Sequence, residues 1–230
     1  MDIFYIFAKI LIKMNDFYIF LIYSVALLSI MLLSQFLYKK FRLNNEWTRK
    51  FAHLGSGIIA LTYPAYVTNH YLVLALTISF TLILFFSKKL GYFKSIFGVG
   101  RTSYGDLFFV WSSWLLFWLY QYKHDTIYFY LPFSIVVFAD TFAAIIGKYI
   151  PLKKLFFFGS QKSIGGSLAF FITTLLLSYY FFQASLHIEN IFLYSLLHAM
   201  ILTLVEALSV KGWDNLTIPV TSVIMIYIMY

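Results

Sequence analysis

Eight long apolar stretches constrain the fold of this chain more than any other feature of its sequence. Each is close to the roughly 20 residues that a helix needs to cross a bilayer. Only 11% of the 230 residues are charged, against about 25% in a soluble domain. The pattern predicts an all-α, polytopic transmembrane helix bundle with about 7–8 membrane spans. The predicted spans are residues 17–38, 51–68, 70–87, 106–121, 127–147, 167–183, 191–209 and 216–230.

No polar linker or low-complexity run divides the chain, so we expect a single integral membrane domain over residues 1–230. Residues 1–16 are predicted to lie in the membrane interface or to add an extra N-terminal segment, because their apolar run is too short to span alone. This N-terminus lacks the basic start and small-residue cleavage site of a cleavable signal. The absence of cysteine excludes disulfides and thiolate metal sites.

The basic residues fall mostly on one side of the predicted topology. If the loop after the first full span is cytoplasmic, that side holds 14 of the 17 Lys and Arg residues, and only Lys9, Lys13 and Lys123 lie opposite. This asymmetry follows the positive-inside rule. The net charge of +8 therefore indicates orientation and contact with anionic membrane lipids, and no nucleic acid partner is expected. The polar clusters that could form a site all lie at or near the same cytoplasmic face.

Asp140 is an acid inside an otherwise apolar predicted span. A carboxylate at membrane depth costs roughly 2.5–3.5 kcal/mol on insertion scales, and such residues commonly have a function. A carboxylate oxygen is a hard ligand that suits Mg²⁺. The alternative is a structural acid paired with a neighbouring lysine. Ala143 and Gly147 form a small-xxx-small pair that permits close helix contact.

A short basic, glycine-rich loop follows at residues 159–167. Glycine amides and a lysine suit a polyphosphate, and Ser167 is predicted to cap the next helix, whose dipole would add to anion binding. The spacing differs from a Walker A motif, and no strand precedes the loop. The alternative is an ordinary positive-inside loop. The candidate nucleotide-binding residues here are Lys162, Ser163, Gly165, Gly166 and Ser167.

Further polar residues join the last two predicted spans. Glu206 lies about one turn inside its helix, at the end where the helix dipole disfavours an acid. Asp214 or Asn215 can cap the helix that contains Pro219. Glu206 and Asp214 are also candidates to reach a metal or a nucleotide hydroxyl.

Two more polar clusters lie at the starts of earlier predicted spans. In the first, His53 is a candidate to bind phosphate or act as a base, or is a hydrogen-bonded core histidine. Its neighbours Arg49 and Lys50 are interpreted as topology markers. In the second cluster, Ser103 and Asp106 resemble a capping box. Arg101 in the same cluster either marks topology or binds a phosphate. The remaining histidines have no metal-like spacing, and His198 lies in a span without an obvious partner.

Taken together, these motifs resemble the dolichol kinase/phytol kinase family of polytopic membrane enzymes, which is related to the CTP-dependent diacylglycerol kinases. The resemblance covers about residues 45–225, and the last two motifs are the most specific. The motifs are RKFAHLGSG at 49–57, RTSYGD at 101–106, ADTFAAIIGKYI at 139–150, QKSIGGSLAFF at 161–171 and EALSVKGWDNLTIP at 206–219.

The resemblance implies transfer of the terminal phosphate of CTP to the hydroxyl of a lipid alcohol of the polyprenol, dolichol or phytol type, with Mg²⁺ as cofactor. Residues 45–225 would then form the catalytic core. The chain departs from the family at Gly165, where a glutamate is common. Either Glu206 or Asp214 covers that role, or the family glutamate is structural. The implied residues are catalytic Asp140, Lys162, Glu206 and His53; nucleotide-binding Lys162, Ser163, Gly165, Gly166, Ser167, Asp214, Asn215 and Arg101; and metal-binding Asp140, Glu206 and Asp214.

Three other functions stay open from the residues alone. A phosphatidate cytidylyltransferase would also use CTP but would release pyrophosphate. A small-anion transporter would more often carry its polar groups near the bilayer midplane. A catalytically silent membrane scaffold would need no site at all. The location expected for the preferred function is a multi-pass protein of a prokaryotic inner membrane or an ER-type membrane, with its active site on the cytoplasmic face.

Overall fold

The computed structural model describes residues 16–97, 103–157, 160–185 and 189–229, apart from the side chains of residues 155–157 and 160–161. The described residues are nearly all helical, which confirms the predicted all-α bundle of the membrane type. They fall into two compact units, residues 1–100 and residues 101–230. The prediction of a single membrane domain stays a prediction.

The helices follow the order of the predicted spans. In the first unit they are α1 (Asp16–Phe41), α2 (Asn45–Ala60), α3 (Tyr63–Tyr66), α4 (His70–Lys89) and α5 (Lys94–Phe97). In the second unit the elements are α6 (Gly105–Lys123), α7 (Ile127–Tyr149), β1 (Lys154–Phe157), β2 (Ser160–Ser163), α8 (Ile164–Ser185), α9 (Ile191–Leu208) and α10 (Asp214–Met229).

Five helices in the described part of the chain are long and apolar enough to cross a membrane: α1, α4, α7, α8 and α9. Helix α10 is apolar but has 16 residues. The span predicted at 51–68 is replaced by the 16-residue α2, which starts earlier, and the four-residue α3. Asn44 explains the early start, because its side chain accepts a hydrogen bond from the Glu46 amide as an N-cap. The number of crossings therefore stays a prediction.

In the first unit, buried polar groups join α1, α2 and α5. The Ser34 hydroxyl donates to the Thr48 carbonyl at 2.9 Å, and the Thr48 hydroxyl donates to the Ser95 carbonyl at 2.7 Å. The Ser95 amide donates to Gln35 Oε1 at 3.1 Å. These bonds satisfy groups that would otherwise be costly to bury, so they fix how the three helices meet.

Two basic residues of α2 are buried in the first unit. Lys50 is 7% exposed and so is His53. The Lys50 side chain is therefore enclosed by the protein, and its interpretation as a topology marker stays a prediction. Arg49, the other predicted marker, forms an ion pair with Glu46 at 3.2 Å one turn earlier.

Helix α7 is the most buried of the five long apolar helices. It contains Pro132 and, starting three residues later, a π-helical turn at Ile135–Ala139. The Asp140 amide donates to the carbonyl of Ile135, five residues earlier. Proline removes an amide donor inside a helix, and π-helical turns are frequent at functional sites. Asp140 is the first residue after this turn.

Glycines let α7 and α8 approach each other closely. A Cβ on Gly147 would lie 2.6 Å from Ser163 Oγ, and one on Gly166 would lie 2.8 Å from the Ala143 carbonyl oxygen. A Cβ on Gly165 would overlap the Ile150 carbonyl oxygen. Because no side chain fits between these backbones, the structure explains why glycine occupies position 165 in this chain: the position is a packing contact.

A short β-hairpin, absent from the sequence prediction, leads into α8. Strands β1 and β2 pair antiparallel, with Leu155 opposite Lys162. Because β2 runs to Ser163, α8 starts at Ile164, and Ser163 rather than Ser167 caps it. The Ser163 hydroxyl oxygen accepts a hydrogen bond from the Gly166 amide at 3.1 Å. The prediction that Ser167 forms the cap is wrong for this reason.

His198 links three helices of the second unit. It is fully buried, with Nδ1 2.7 Å from the Ser178 hydroxyl of α8 and Nε2 3.0 Å from the Ser222 hydroxyl of α10. A neutral imidazole donates through one nitrogen and accepts through the other, so both serines satisfy it. The sequence offered no obvious partner for His198, because its partners lie 20 and 24 residues away in sequence.

Candidate active site

One end of the second unit brings together three predicted site residues from three elements. Lys162, on β2, points its ammonium at Glu206 near the end of α9 and at Asp214 at the start of α10. The ammonium donates a hydrogen bond to Glu206 Oε1 and lies 3.5 Å from Asp214 Oδ2. The three side chains are 19%, 6% and 18% exposed. Such a partly buried ion cluster is protected from the salt screening that weakens surface pairs.

The charge of Lys162 is set by its surroundings. Burial alone would lower the pKa of its ammonium, because it disfavours the charged form. The carboxylates of Glu206 and Asp214, the hydrogen bond to Glu206 and the more distant charge of Asp140 outweigh burial and raise the pKa above its usual value. Lys162 is therefore a cation at neutral pH, in contact with Glu206 and Asp214.

Glu206 is held by contacts that offset an unfavourable position. It lies in the last turn of α9, where the helix dipole disfavours a negative charge. Its Oε1 accepts from Lys162, and its Oε2 lies 3.5 Å from the Ser167 hydroxyl of α8. Ser167, predicted as a helix cap, therefore lies against Glu206 instead. The pair of contacts explains how a buried acid is tolerated here.

Asp140 acts on this cluster from α7. Its negative charge makes a small contribution to the raised pKa of the Lys162 ammonium. Its direction depends on the π-helical turn that precedes it, since each inserted residue rotates the following helix by about 100°. The sequence prediction placed Asp140 in a regular helix and missed this turn, for which only Pro132 gives a signal.

The start of α10 is tied to the start of α6. Asn215 is 5% exposed, and its Nδ2 donates to the Gly105 carbonyl at 2.8 Å. The loop before α10 turns at Gly212, with φ +88°, where a Cβ would overlap the Gly105 amide nitrogen. The Tyr104 amide donates to the Lys211 carbonyl at 3.0 Å. Asn215 thus has a structural contact that positions its neighbour Asp214.

The predicted capping box at the start of α6 takes another form. The Ser103 hydroxyl oxygen accepts from the Gly105 amide at 3.2 Å, two residues on, and Tyr104 is the N-cap residue. The N-cap residue of α6 is thus Tyr104 rather than Ser103, and the predicted contact between Ser103 and Asp106 stays a prediction. Ser103 therefore helps to fix the Gly105 carbonyl to which Asn215 binds.

The roles predicted for Arg101, His53, Gly165 and Gly166 stay predictions. Arg101 lies outside the described residues, and His53 belongs to the first unit. The Gly165 amide donates to the Pro151 carbonyl at 3.3 Å, and the Gly166 amide donates to Ser163 Oγ. Since both amides have acceptors within the chain, their contact with an anion stays a prediction.

The predicted metal ligands are not arranged as a complete metal cage. Among the residues described, no group of three or more His, Cys, Asp or Glu residues is arranged to hold a metal ion. Instead, Lys162 supplies the positive charge between Glu206 and Asp214. A metal at this site would therefore need oxygen ligands from a substrate in addition to protein carboxylates.

Comparison with known proteins gives one informative similarity. The chain is 28% identical over 190 residues to a phytol kinase from Synechocystis sp., and the alignment covers 78% of each chain. No family profile matches the chain. No solved structure matches it either.

Proposed function

We propose that this chain is a membrane-embedded kinase that transfers the terminal phosphoryl group of CTP to the hydroxyl of a lipid alcohol, with phytol the first alcohol to test. Similarity to a phytol kinase over most of the chain supports the reaction type. The observation that carries the proposal is the Lys162 ammonium among Asp140, Glu206 and Asp214 at one end of the second unit. Phosphoryl transfer depends mainly on positioning and on stabilisation of phosphate charge.

Lys162 is the proposed phosphate contact. The hydroxyl oxygen of the alcohol attacks the terminal phosphorus, the bond from that phosphorus to the bridging oxygen breaks, and CDP leaves. The ammonium stabilises the charge of the transferring group. Glu206, which also contacts Ser167, keeps the ammonium in place, and a carboxylate of the cluster accepts the proton of the alcohol. The apolar tail stays among lipid-facing helices.

Mg²⁺ is the proposed cofactor, and the donor set fits it in part. Carboxylate oxygens are hard ligands, and Mg²⁺ is usually held by one or two carboxylates together with substrate phosphates rather than by an all-protein cage. Asp140, Glu206 and Asp214 are the proposed ligands, and Glu206 and Asp214 are held close together by Lys162. When bound, the ion would neutralise charge on the nucleotide phosphates.

The test is transfer of label into lipid. Purified protein in detergent receives CTP or ATP labelled at the terminal phosphate, Mg²⁺ and a panel of phytol, geranylgeraniol, dolichol, undecaprenol and diacylglycerol. We expect labelled lipid phosphate and CDP. Pyrophosphate release with phosphatidate would instead indicate a cytidylyltransferase. No turnover with any acceptor, or label transfer by ATP alone, would contradict the proposal.

Two variants test the assigned residues. Asp140→Asn and Lys162→Met should each lower the rate at least about 100-fold, the usual effect of removing one group that stabilises a transition state. Lys123→Met is the matched control, because Lys123 is exposed at the opposite end of the second unit. Equal labelling by wild type and Asp140→Asn would reject the role given to Asp140.

A further inference from the structure

The segment that joins α7 to β1, residues 149–154, exposes large apolar side chains beside lysines, and we call it the interfacial loop. Tyr149 is 65% exposed, Ile150 58% and Leu152 69%. Lys153 and Lys154 are exposed next to them. Apolar side chains at a helix end are costly in water but favourable where headgroups meet acyl chains.

The backbone holds these side chains outward. Leu152 has φ +53°, the left-handed region that a bulky residue rarely adopts. The Gly165 amide donates to the Pro151 carbonyl, and the Ile164 amide donates to the Lys153 carbonyl at 2.9 Å. The interfacial loop is thus fixed to the start of α8, and its exposure is part of the fold.

The position of the loop indicates a membrane boundary. It connects α7 and α8, which are both long and apolar enough to cross a membrane. The same end of the second unit carries Lys148, Lys153, Lys154, Lys162 and Lys211, whereas the described residues at the opposite end include Lys123 as their one Lys or Arg. Lys153 and Lys154 form no ion pair with the described residues. Two uncompensated cations beside apolar side chains match the chemistry of an anionic lipid surface.

We infer that the interfacial loop is a docking surface for anionic phospholipid headgroups of the surrounding bilayer. Tyr149, Ile150 and Leu152 enter the interface, while Lys153 and Lys154 bind headgroup phosphates. The inference does not depend on the proposed kinase activity. Lipid docking at the interfacial loop would also keep the candidate site close to the membrane surface. Leu155, the residue after Lys154, pairs with Lys162 across the hairpin.

The first experiment measures lipid binding. Dioctanoyl phosphatidylglycerol and phosphatidylcholine are titrated into detergent-solubilised protein and bound lipid is counted by native mass spectrometry. Lys153→Gln/Lys154→Gln should weaken phosphatidylglycerol binding by about fivefold for each lysine, with phosphatidylcholine unchanged. The control is Lys39→Gln/Lys40→Gln, an exposed pair at the end of α1 with the same charge change. An equal loss in the control would overturn the inference, because any basic helix end would then suffice.

The second experiment measures depth. The chain has no cysteine, so a nitroxide on Leu152→Cys reports from one position. In phosphatidylglycerol-containing nanodiscs we expect collisions with oxygen at a rate between that of Ile172→Cys, exposed in the middle of α8, and that of free label in water. A fully aqueous signal would overturn the inference. Displacement of bound phosphatidylglycerol by inorganic triphosphate at equal concentration would also overturn it, since the lysines would then serve a soluble phosphate.

Discussion

Replacing Lys162 with methionine tests the ion cluster most directly. The side chain loses its charge but keeps most of its length, and Glu206, 6% exposed, and Asp214 both lose their contact with the ammonium. Breaking a buried pair by removing one partner typically costs about 3–5 kcal/mol, since a buried charge stays uncompensated. We therefore expect the free energy of unfolding to fall by about 4 kcal/mol. In a domain of this size that lowers the unfolding midpoint by roughly 10 °C.

Replacing the other partner should cost less. In Glu206→Gln the Lys162 ammonium keeps Asp214 at 3.5 Å, an attraction of about 5 kcal/mol at an effective dielectric constant of 20. The glutamine can still accept a hydrogen bond, so a loss of about 1–2 kcal/mol is expected. The asymmetry follows from the ion pairs: losing Lys162 breaks its contacts with both Glu206 and Asp214, whereas Glu206→Gln breaks only one of them.

The assay is unfolding in one detergent at one scan rate, with Lys123→Met as the control. The double variant Lys162→Met/Glu206→Gln should be more stable than the sum of the single losses predicts, by about 2 kcal/mol, because the two residues are in contact. The reasoning is refuted if Lys162→Met is as stable as the Lys123→Met control. It is also refuted if Glu206→Gln destabilises the protein more than Lys162→Met.

Two further variants and one change of condition test the Gly165 contact, the His198 hydrogen bonds and the charge of Lys162. Gly165→Ala should reduce the yield of folded protein sharply on size-exclusion chromatography, because its Cβ would overlap the Ile150 carbonyl oxygen; normal yield would disprove the close crossing. His198→Leu should cost about 1–3 kcal/mol of unfolding free energy by leaving two buried serine hydroxyls unpaired, with partial recovery in His198→Gln as the check. The pKa of Lys162 is higher in the folded protein than in the unfolded chain. The charged Lys162 therefore contributes its full stabilisation of the fold below the unfolded pKa of about 10.4. That contribution is lost only as the pH rises through the higher folded pKa. The stability gap between wild type and Lys162→Met should therefore stay constant from about pH 7 to 10 and narrow only above that range, which unfolding measurements across pH would reveal.

Much of the helical framework was predictable from the sequence. Apolar runs of membrane length have a strong signal, because each is decided by its own composition. The sequence analysis placed Lys162, Glu206 and Asp214 at the same face of the bundle, but it did not predict the ion pairs between Lys162 and the two acids. The resemblance of the motifs agrees with the similarity to a phytol kinase.

Other features depend on contacts that no local pattern reports. The hairpin of β1 and β2 moves the start of α8 and gives the cap to Ser163. His198 is satisfied by serines on two other helices. The packing role of Gly165 appears only once the Ile150 carbonyl is placed against it. In each case the deciding neighbour is distant in sequence or belongs to another element, so spacing alone gave no signal.

The π-helical turn at Ile135–Ala139 determines the direction in which Asp140 leaves the axis of α7. Deleting one residue from this turn would restore ordinary i to i−4 bonding and swing Asp140 around the helix axis by about 100°, with a shift of about 1.5 Å along it. The carboxylate would leave the neighbourhood of Lys162 although no side chain had been substituted. Length changes within these five residues should therefore be as harmful as replacing the acid itself, whereas a conservative apolar exchange there should be tolerated.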